Sequence, residues 1–163
     1  MSIAPFKLNL GCGITRIPGY IGVDLYGGEY KADIRALPKE WENMAEEVMA
    51  IHVIEHFPYY ETQAVLLEWK RVLKPGGRIV LECPDLKEAC RNFLMNPLKY
   101  NRGLHCIYGE QDYGTIESVH KSGWTVPALI RELEVAGFRE VYERPAQHKR
   151  RAPRDIRVEG VKL

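Results

Sequence analysis

The chain of 163 residues has almost no net charge. Its 23 Lys and Arg against 22 Asp and Glu leave +1, so no global field draws it toward nucleic acid or an anionic membrane surface. No apolar run approaches the ~18 residues of a membrane span, and the opening "MSIAPFK" lacks the basic region and apolar stretch of an export signal. Neither membrane insertion nor secretion is therefore expected. Cysteine is also sparse: Cys12, Cys83, Cys90 and Cys106 include no Cys-x-x-Cys pair and no His at zinc-finger spacing. That favours free thiols in a reducing, cytoplasmic compartment over a disulfide framework, and no metal is expected. Internal repeats, low-complexity tracts and Ser/Gly linkers are missing as well, so 1–163 is read as one domain. It is long enough to bury a core without disulfide or metal support.

Two further absences lie inside the most informative motif. "LNLGCG", Leu8 to Gly13, is an apolar run bending at glycines, and "YIGVDL", Tyr20 to Leu25, follows after six residues. Apolar strand, glycine bend and a second strand ending in an acid is how a nucleotide-binding α/β unit begins. The third glycine of G-x-G-x-x-G is absent, however, with Arg16 in its place, and six residues containing Pro18-Gly19 hold no crossover helix. Without a helix N-terminus the loop has nothing to offer a pyrophosphate, which argues against a dinucleotide oxidoreductase. At about 3.6 Å per residue, six residues span roughly 20 Å, enough for an extended return between parallel strands.

Near-continuous apolar segments of strand length recur at Phe6–Leu10, Tyr20–Leu25, Glu47–Val53 and Arg78–Pro84, as in a parallel sheet buried on both faces. "ETQAVLLEWKRVL" places Val65, Leu66, Trp69, Val72 and Leu73 on one helical face, and "KPGG" ends it. A second helix starts at Asp85 and stops before Pro97. A third, "TVPALIRELEVAG", opens at a Thr125 cap with Pro127 in its first turn, carries Leu129, Ile130, Leu133 and Ala136 as its stripe, and ends at Gly137. "FREVYE" and "RDIRVEGVK" alternate with period two, like two antiparallel strands.

Four of these features, "LNLGCG", "GVDL", "HVIEHF" and "LLEWKRVLKPGGRIVLECPD", occur in one order over Phe6 to about Asp85. Together they resemble the class I S-adenosylmethionine-dependent methyltransferases, and among them the small-molecule methyltransferases of quinone biosynthesis. "SGWTVPALIRELEVAGF" is similar to that family's late helix and following strand. The resemblance implies an α/β, Rossmann-like, doubly wound and mostly parallel seven-stranded sheet with an antiparallel C-terminal hairpin. Here the first crossover helix is missing or reduced. That departure leaves one sheet face thinly covered, where a partner subunit such as a second copy of the chain could sit.

The implied cofactor is S-adenosylmethionine, with S-adenosylhomocysteine as product. The turn Leu10, Gly11, Cys12 and Gly13 would approach it, since the two glycines lack the Cβ that blocks close contact; the bland reading is a bare turn. Asp24, at the end of the second strand, would accept from both ribose hydroxyls, unless it merely caps a turn. By resemblance Leu25 and Ile34 pack on the adenine, Asp33 meets its amino group, and the backbone at His52 and Val53 approaches the methionine part.

Side chains near His56 then face the acceptor. His56 and His120 are the candidate catalytic bases, of use where the acceptor is an alcohol; otherwise they, like His52, are packing residues. The long connection 84–124 has the length of a functional lid and supplies His105, Tyr108 and Tyr113 as candidate substrate contacts. Aromatic and polar side chains suit a small flat or hydroxylated acceptor, so O-methylation of a small molecule is the expected activity. A cofactor-binding subunit without turnover is the alternative. A nucleic-acid methyltransferase is disfavoured, because "HVIEHF" stands where Asn-Pro-Pro-aromatic would. The basic "HKRRAPR", 148–154, reads as an exposed hairpin tip.

Overall fold

The glycine turn does what its length requires. In the computed structural model, which describes residues 6–95, 102–109, 116–148 and 155–163, β1 (Phe6–Leu10) and β2 (Ile21–Asp24) pair in parallel, Leu8 opposite Ile21 and Leu10 opposite Val23. No helix lies between them. Gly11, Gly13 and Gly19 hold φ of 63°, 52° and 84°, left-handed conformations that suit glycine and break helix. The Thr15 N–H donating to the Cys12 carbonyl closes the bend.

β3 (Tyr30–Lys31) pairs with β2 and is too short for periodicity to reveal. β4 (Ala45–Ile51), α1 (Tyr59–Val72), β5 (Leu73–Pro84), α2 (Leu86–Met95), α3 (Arg102–Tyr108), α4 (Val126–Val135), β6 (Arg139–Arg144) and β7 (Asp155–Val161) follow. The strands form one sheet in the order β3-β2-β1-β4-β5-β7-β6, parallel except for β7, which runs antiparallel between β5 and β6. The seven-stranded sheet with its antiparallel C-terminal pair thus stands as expected.

Register carries Leu8, Val48 and Ile79 into one row and Leu10, Ala50, Leu81 and Val158 into the next. All seven are fully buried. Against them pack Val65, Leu66, Trp69 and Val72 of α1 and Leu129 and Leu133 of α4, the stripes read from helical spacing. Burying each large apolar side chain of this core contributes about 1.5–3 kcal/mol. The Trp69 Nε1–H donates to the Ile34 carbonyl at 2.9 Å, tying the loop after β3 to the core. Thr125 occupies the position before α4, but its side chain makes no capping hydrogen bond; Pro127, with φ preset, starts the helix instead.

The opposite face of the same strands is polar. Tyr20 donates to Glu47, Arg78 pairs with Glu47 and, at 3.2 Å, with Glu159, Arg157 pairs with Glu159 at 2.7 Å and with Glu82 at 3.4 Å. Glu82 also accepts the backbone N–H groups of Gln147 and His148. Glu47, Glu82 and Arg157 are buried, so each charge depends on its neighbour. Burial, with the Tyr20 hydroxyl bonded to Glu47, pushes the phenol up to about 12. No helix of the described residues is long and apolar enough to cross a membrane.

Candidate active site

The carboxyl ends of β1, β2 and β4 open onto a cleft of about 630 Å³, where ligands bind in open α/β sheets. Gly11, Asp24, Leu25, Asp33, Ile34, His52, Val53 and His56 all line it. Gly11 sits against Val53: a Cβ added there would stand 2.6 Å from Val53 Cγ2, so only glycine lets the two loops meet. Leu10 and Cys12 lie behind the cleft wall in the core. Gly13 acts through its backbone, donating its N–H to Asp24 Oδ2 at 3.0 Å.

Asp24 is held by three backbone donors. Oδ2 accepts from Gly13, and Oδ1 accepts from Tyr26 at 2.9 Å and Gly27 at 3.0 Å. Burial works to raise its pKa, but these three bonds, with Arg16 adding to them, carry it below the usual carboxylate value. A carboxylate has room for about four hydrogen bonds, so acceptor capacity remains toward the cleft. Asp33 is clamped by Arg35, whose guanidinium bonds both its oxygens, Nη2 at 2.8 Å; that pairing lowers its pKa. Arg35 also lines the cleft, as do Tyr26, Tyr60, Glu61, Glu117 and Lys121. No motif in the sequence marks these side chains. Tyr60 and Glu61 were open to inference, since they begin the helix directly after "HVIEHFP".

Beyond β4 the chain turns sharply. His52 takes φ of 55°, a conformation that costs a non-glycine residue of order 1–3 kcal/mol. Its surroundings over-determine it: its N–H donates to the Glu82 carbonyl at 2.7 Å, Nδ1 lies 3.2 Å from Glu55 Oε1, and Nε2 lies 3.2 Å from Asp155 Oδ2. The following turn, Ile54–His56, buries Glu55 at 1% exposure. Burial would raise Glu55's pKa; His52, then His56 and His120, oppose that and hold it low.

The return of the long connection is stitched to this turn. The N–H groups of Lys121 and Ser122 both donate to the Glu55 carbonyl, at 2.8 and 3.1 Å, and the Leu86 N–H donates to the Trp124 carbonyl. His120 is thereby brought edge-on to His56, ring centroids 4.9 Å apart. His56 Nδ1 faces the Val119 carbonyl at 3.2 Å and His120 Nδ1 the Cys106 carbonyl at 2.8 Å. These bonds assign the proton to Nδ1 of each neutral ring and leave Nε2 as the basic nitrogen. Burial lowers the His120 pKa.

The two proposed bases are therefore neighbours, with His56 on the cleft wall and His120 behind it. His105 and Tyr108 are not among the residues lining the cleft. They support it through the backbone, the Tyr108 carbonyl accepting the His120 N–H at 3.1 Å. Tyr113 lies outside the described residues.

A family model described as a methyltransferase domain matches residues 8–81. It ends at β5, and solved structures extend the likeness over the rest. The chain has the fold of the S-adenosylmethionine-dependent methyltransferases. A methyltransferase from Methanosarcina mazei matches 100% of this chain and 94% of its own at 17% identity, with a TM-score of 0.68. One from Archaeoglobus fulgidus covers 98% and 86% at 18% identity and 0.62. The 1,6-didemethyltoxoflavin-N1-methyltransferase of Burkholderia thailandensis, solved with its substrate and S-adenosylhomocysteine, covers 98% and 72% at 15% identity and 0.66. At these identities the structures establish the methyltransferase fold and leave the acceptor open. No curated protein matches the sequence.

Proposed function

We propose that this methyltransferase acts on the hydroxyl oxygen of a small molecule, with His56 receiving the acceptor's proton. The observation that supports this most is the basic Nε2 of His56 on the wall of the cleft that also contains Gly11 and Asp24. The residues fit the cofactor: a glycine whose Cβ would close the approach to Val53, and a fixed carboxylate able to accept from a ribose diol. S-adenosylmethionine supplies an electrophilic methyl group on a sulfonium. The chain's own residues bind and orient. Asp24 takes the ribose hydroxyls, Leu25 and Ile34 the faces of the adenine, Asp33 its amino group, and the backbone at Gly11, His52 and Val53 the remainder.

Methyl transfer is an in-line displacement, so alignment of donor and acceptor carries much of the rate; an alcohol needs a base in addition. In this reading the connection from Pro84 to Trp124 closes over the acceptor, with Glu117 and Lys121 as its cleft-facing side chains. The four cysteines are free, in keeping with a cytoplasmic enzyme.

The test is release of S-adenosylhomocysteine, followed by mass spectrometry, from S-adenosylmethionine and a panel of phenols, sugars and amines. Turnover with hydroxylated acceptors is expected, falling about 10²- to 10⁴-fold in His56→Ala with cofactor affinity nearly unchanged. Methylation of amines alone would overturn the choice of oxygen. Tight cofactor binding with no turnover on any acceptor would make the chain a cofactor-binding subunit.

A further inference from the structure

Glu55 is the least explained residue of the site. Its carboxylate is buried, yet neither oxygen has a hydrogen-bond partner. His52 Nδ1 is close, at 3.2 Å, but not aligned to donate, and His120 Nε2 is 4.0 Å from Oε1. A buried carboxylate left without donors costs several kcal/mol unless a positive charge meets it. The imidazoles of His56 and His120 do not supply an N–H, because in their neutral forms both use Nδ1–H on backbone carbonyls, of Val119 and Cys106, and His52 sits between this carboxylate and that of Asp155. The His120 Nε2 thus lies 4.0 Å from the Glu55 carboxylate, with a ring nitrogen of His56 within 4.8 Å of both, an arrangement of electron-rich atoms that favours a cation among them.

We propose that Glu55, His56 and His120 hold a divalent transition-metal ion of the zinc type at the acceptor end of the cleft. One ligand atom from each lies within 4.8 Å of the other two. Tetrahedral bonds of 2.0–2.1 Å would bring such atoms to about 3.4 Å, so small side-chain rotations complete the set. Two imidazoles and one carboxylate are ligands of the borderline class that suits zinc and its neighbours. Three protein ligands also leave a coordination position open, as in catalytic rather than structural sites.

The outer shell is in place too. His120 gives its other nitrogen to the Cys106 carbonyl, the arrangement that fixes ring orientation at metal centres, His56 is tethered to the Val119 carbonyl, and His52 flanks the carboxylate. The binding claim stands independently of the acceptor; the ion's role rests on the reading of O-methylation. With the ion bound, its charge would lower the pKa of an acceptor hydroxyl at the open position; in the metal-free protein the His56 imidazole is free to take that proton.

The test titrates chelator-treated protein with Co²⁺, read by its visible d–d absorption, and then with Zn²⁺ in competition. One equivalent of Co²⁺ in a nitrogen and oxygen environment, displaced by Zn²⁺, is expected. Glu55→Gln and His120→Ala should each weaken binding by more than the 10- to 100-fold that loss of an outer-shell partner costs. Because Glu55 is buried, His56→Ala on the cleft wall serves as the variant that keeps its fold, checked by circular dichroism, and it should weaken binding equally. Absence of stoichiometric Co²⁺ and Zn²⁺ binding to the wild type would overturn the site. So would binding unchanged in His56→Ala, or a cobalt–thiolate band assigning the metal to a cysteine. S-adenosylhomocysteine binding to the metal-free protein, measured alongside, reports separately on the cofactor cleft.

Discussion

Replacing Asp24 separates a turn staple from a cofactor anchor. Its carboxylate accepts three backbone N–H groups, from Gly13, Tyr26 and Gly27, at 2.9 to 3.0 Å. Bonds to a charged acceptor are worth about 1.5–3 kcal/mol each, but the site is partly open, and water can reach the freed donors. Asp24→Ala should therefore destabilise the ligand-free protein by only about 1–2 kcal/mol, lowering Tm by about 2–8 °C for a domain near this size. The loss in affinity should be larger. With three of about four acceptor sites already filled, the ribose diol gains a net of one charge-assisted bond, about 1.5–3 kcal/mol, or about 13- to 160-fold in Kd.

S-adenosylhomocysteine at 100 times the wild-type Kd stabilises by about 2.7 kcal/mol, raising the wild-type Tm by about 5–10 °C. At the same concentration the variant should gain less than about 1.3 kcal/mol, a shift under about 5 °C. The assay is a melting curve of wild type and Asp24→Ala in buffer, with S-adenosylhomocysteine and with NAD. NAD should shift neither, since the loop offers no helix N-terminus to a pyrophosphate. If Asp24→Ala melts lower alone but keeps the full ligand shift, Asp24 only staples its turn and the ribose assignment is refuted. A shift with NAD alone would return the glycine loop to dinucleotide chemistry.

Gly11→Ala combines a φ of 63° with a Cβ 2.6 Å from Val53 Cγ2, which should cost about 2–5 kcal/mol and abolish the ligand shift. Gly13→Ala, at φ 52° with open space around its Cβ, should cost only about 1–2 kcal/mol; equal melting losses would contradict the packing argument. Glu82→Gln removes one of two carboxylates from the buried Arg157 guanidinium, which keeps Glu159 at 2.7 Å, and should destabilise by about 1–3 kcal/mol. The double change Glu82→Met with Arg157→Met should be milder than either single substitution; additive losses in a denaturation cycle would show that the pair is not coupled. Tyr20, with its folded-state pKa raised from 10.0 to about 12, favours folding below pH 10, and that contribution should fade as pH rises from about 10 toward 12. Spectroscopic titration of phenolate in wild type and Tyr20→Phe checks it: a tyrosine titrating near 10 that disappears in the variant would be evidence against the burial and Glu47 bond.

Local order in the chain was enough for the outline of this protein, because the signals are short-range. Apolar runs of strand length, the stripe Val65, Leu66, Trp69 and Val72, and the break at Pro18-Gly19 each act within a few residues; the KPGG read as a helix stop lies inside β5. Together they set the parallel pairing of β1 with β2 and the helix-free loop between them. Gly11, Asp24, Asp33 and His52 were legible for the same reason, since residues that end parallel strands meet at one edge of the sheet. Two-residue β3 was not legible: it has no period of its own and exists only by pairing with β2.

The acceptor side belongs to tertiary structure alone. His120 lies 64 positions after His56 in the chain, and nothing in its local pattern distinguishes it from a packing histidine. It reaches His56 because the Glu55 carbonyl takes the N–H groups of Lys121 and Ser122. His105 and Tyr108 do not line the cleft; α3 meets the site through the Cys106 and Tyr108 carbonyls, which bond His120. Asp155 meets His52 only because β7 inserts antiparallel beside β5, an order in space that no order in sequence announces. The buried polar face likewise arises from strand register, which sets Glu47, Arg78, Glu82, Arg157 and Glu159 side by side. Strand ends are specified residue by residue; which distant side chains share a cavity follows from how Lys121 and Ser122 are pinned back onto the turn after β4.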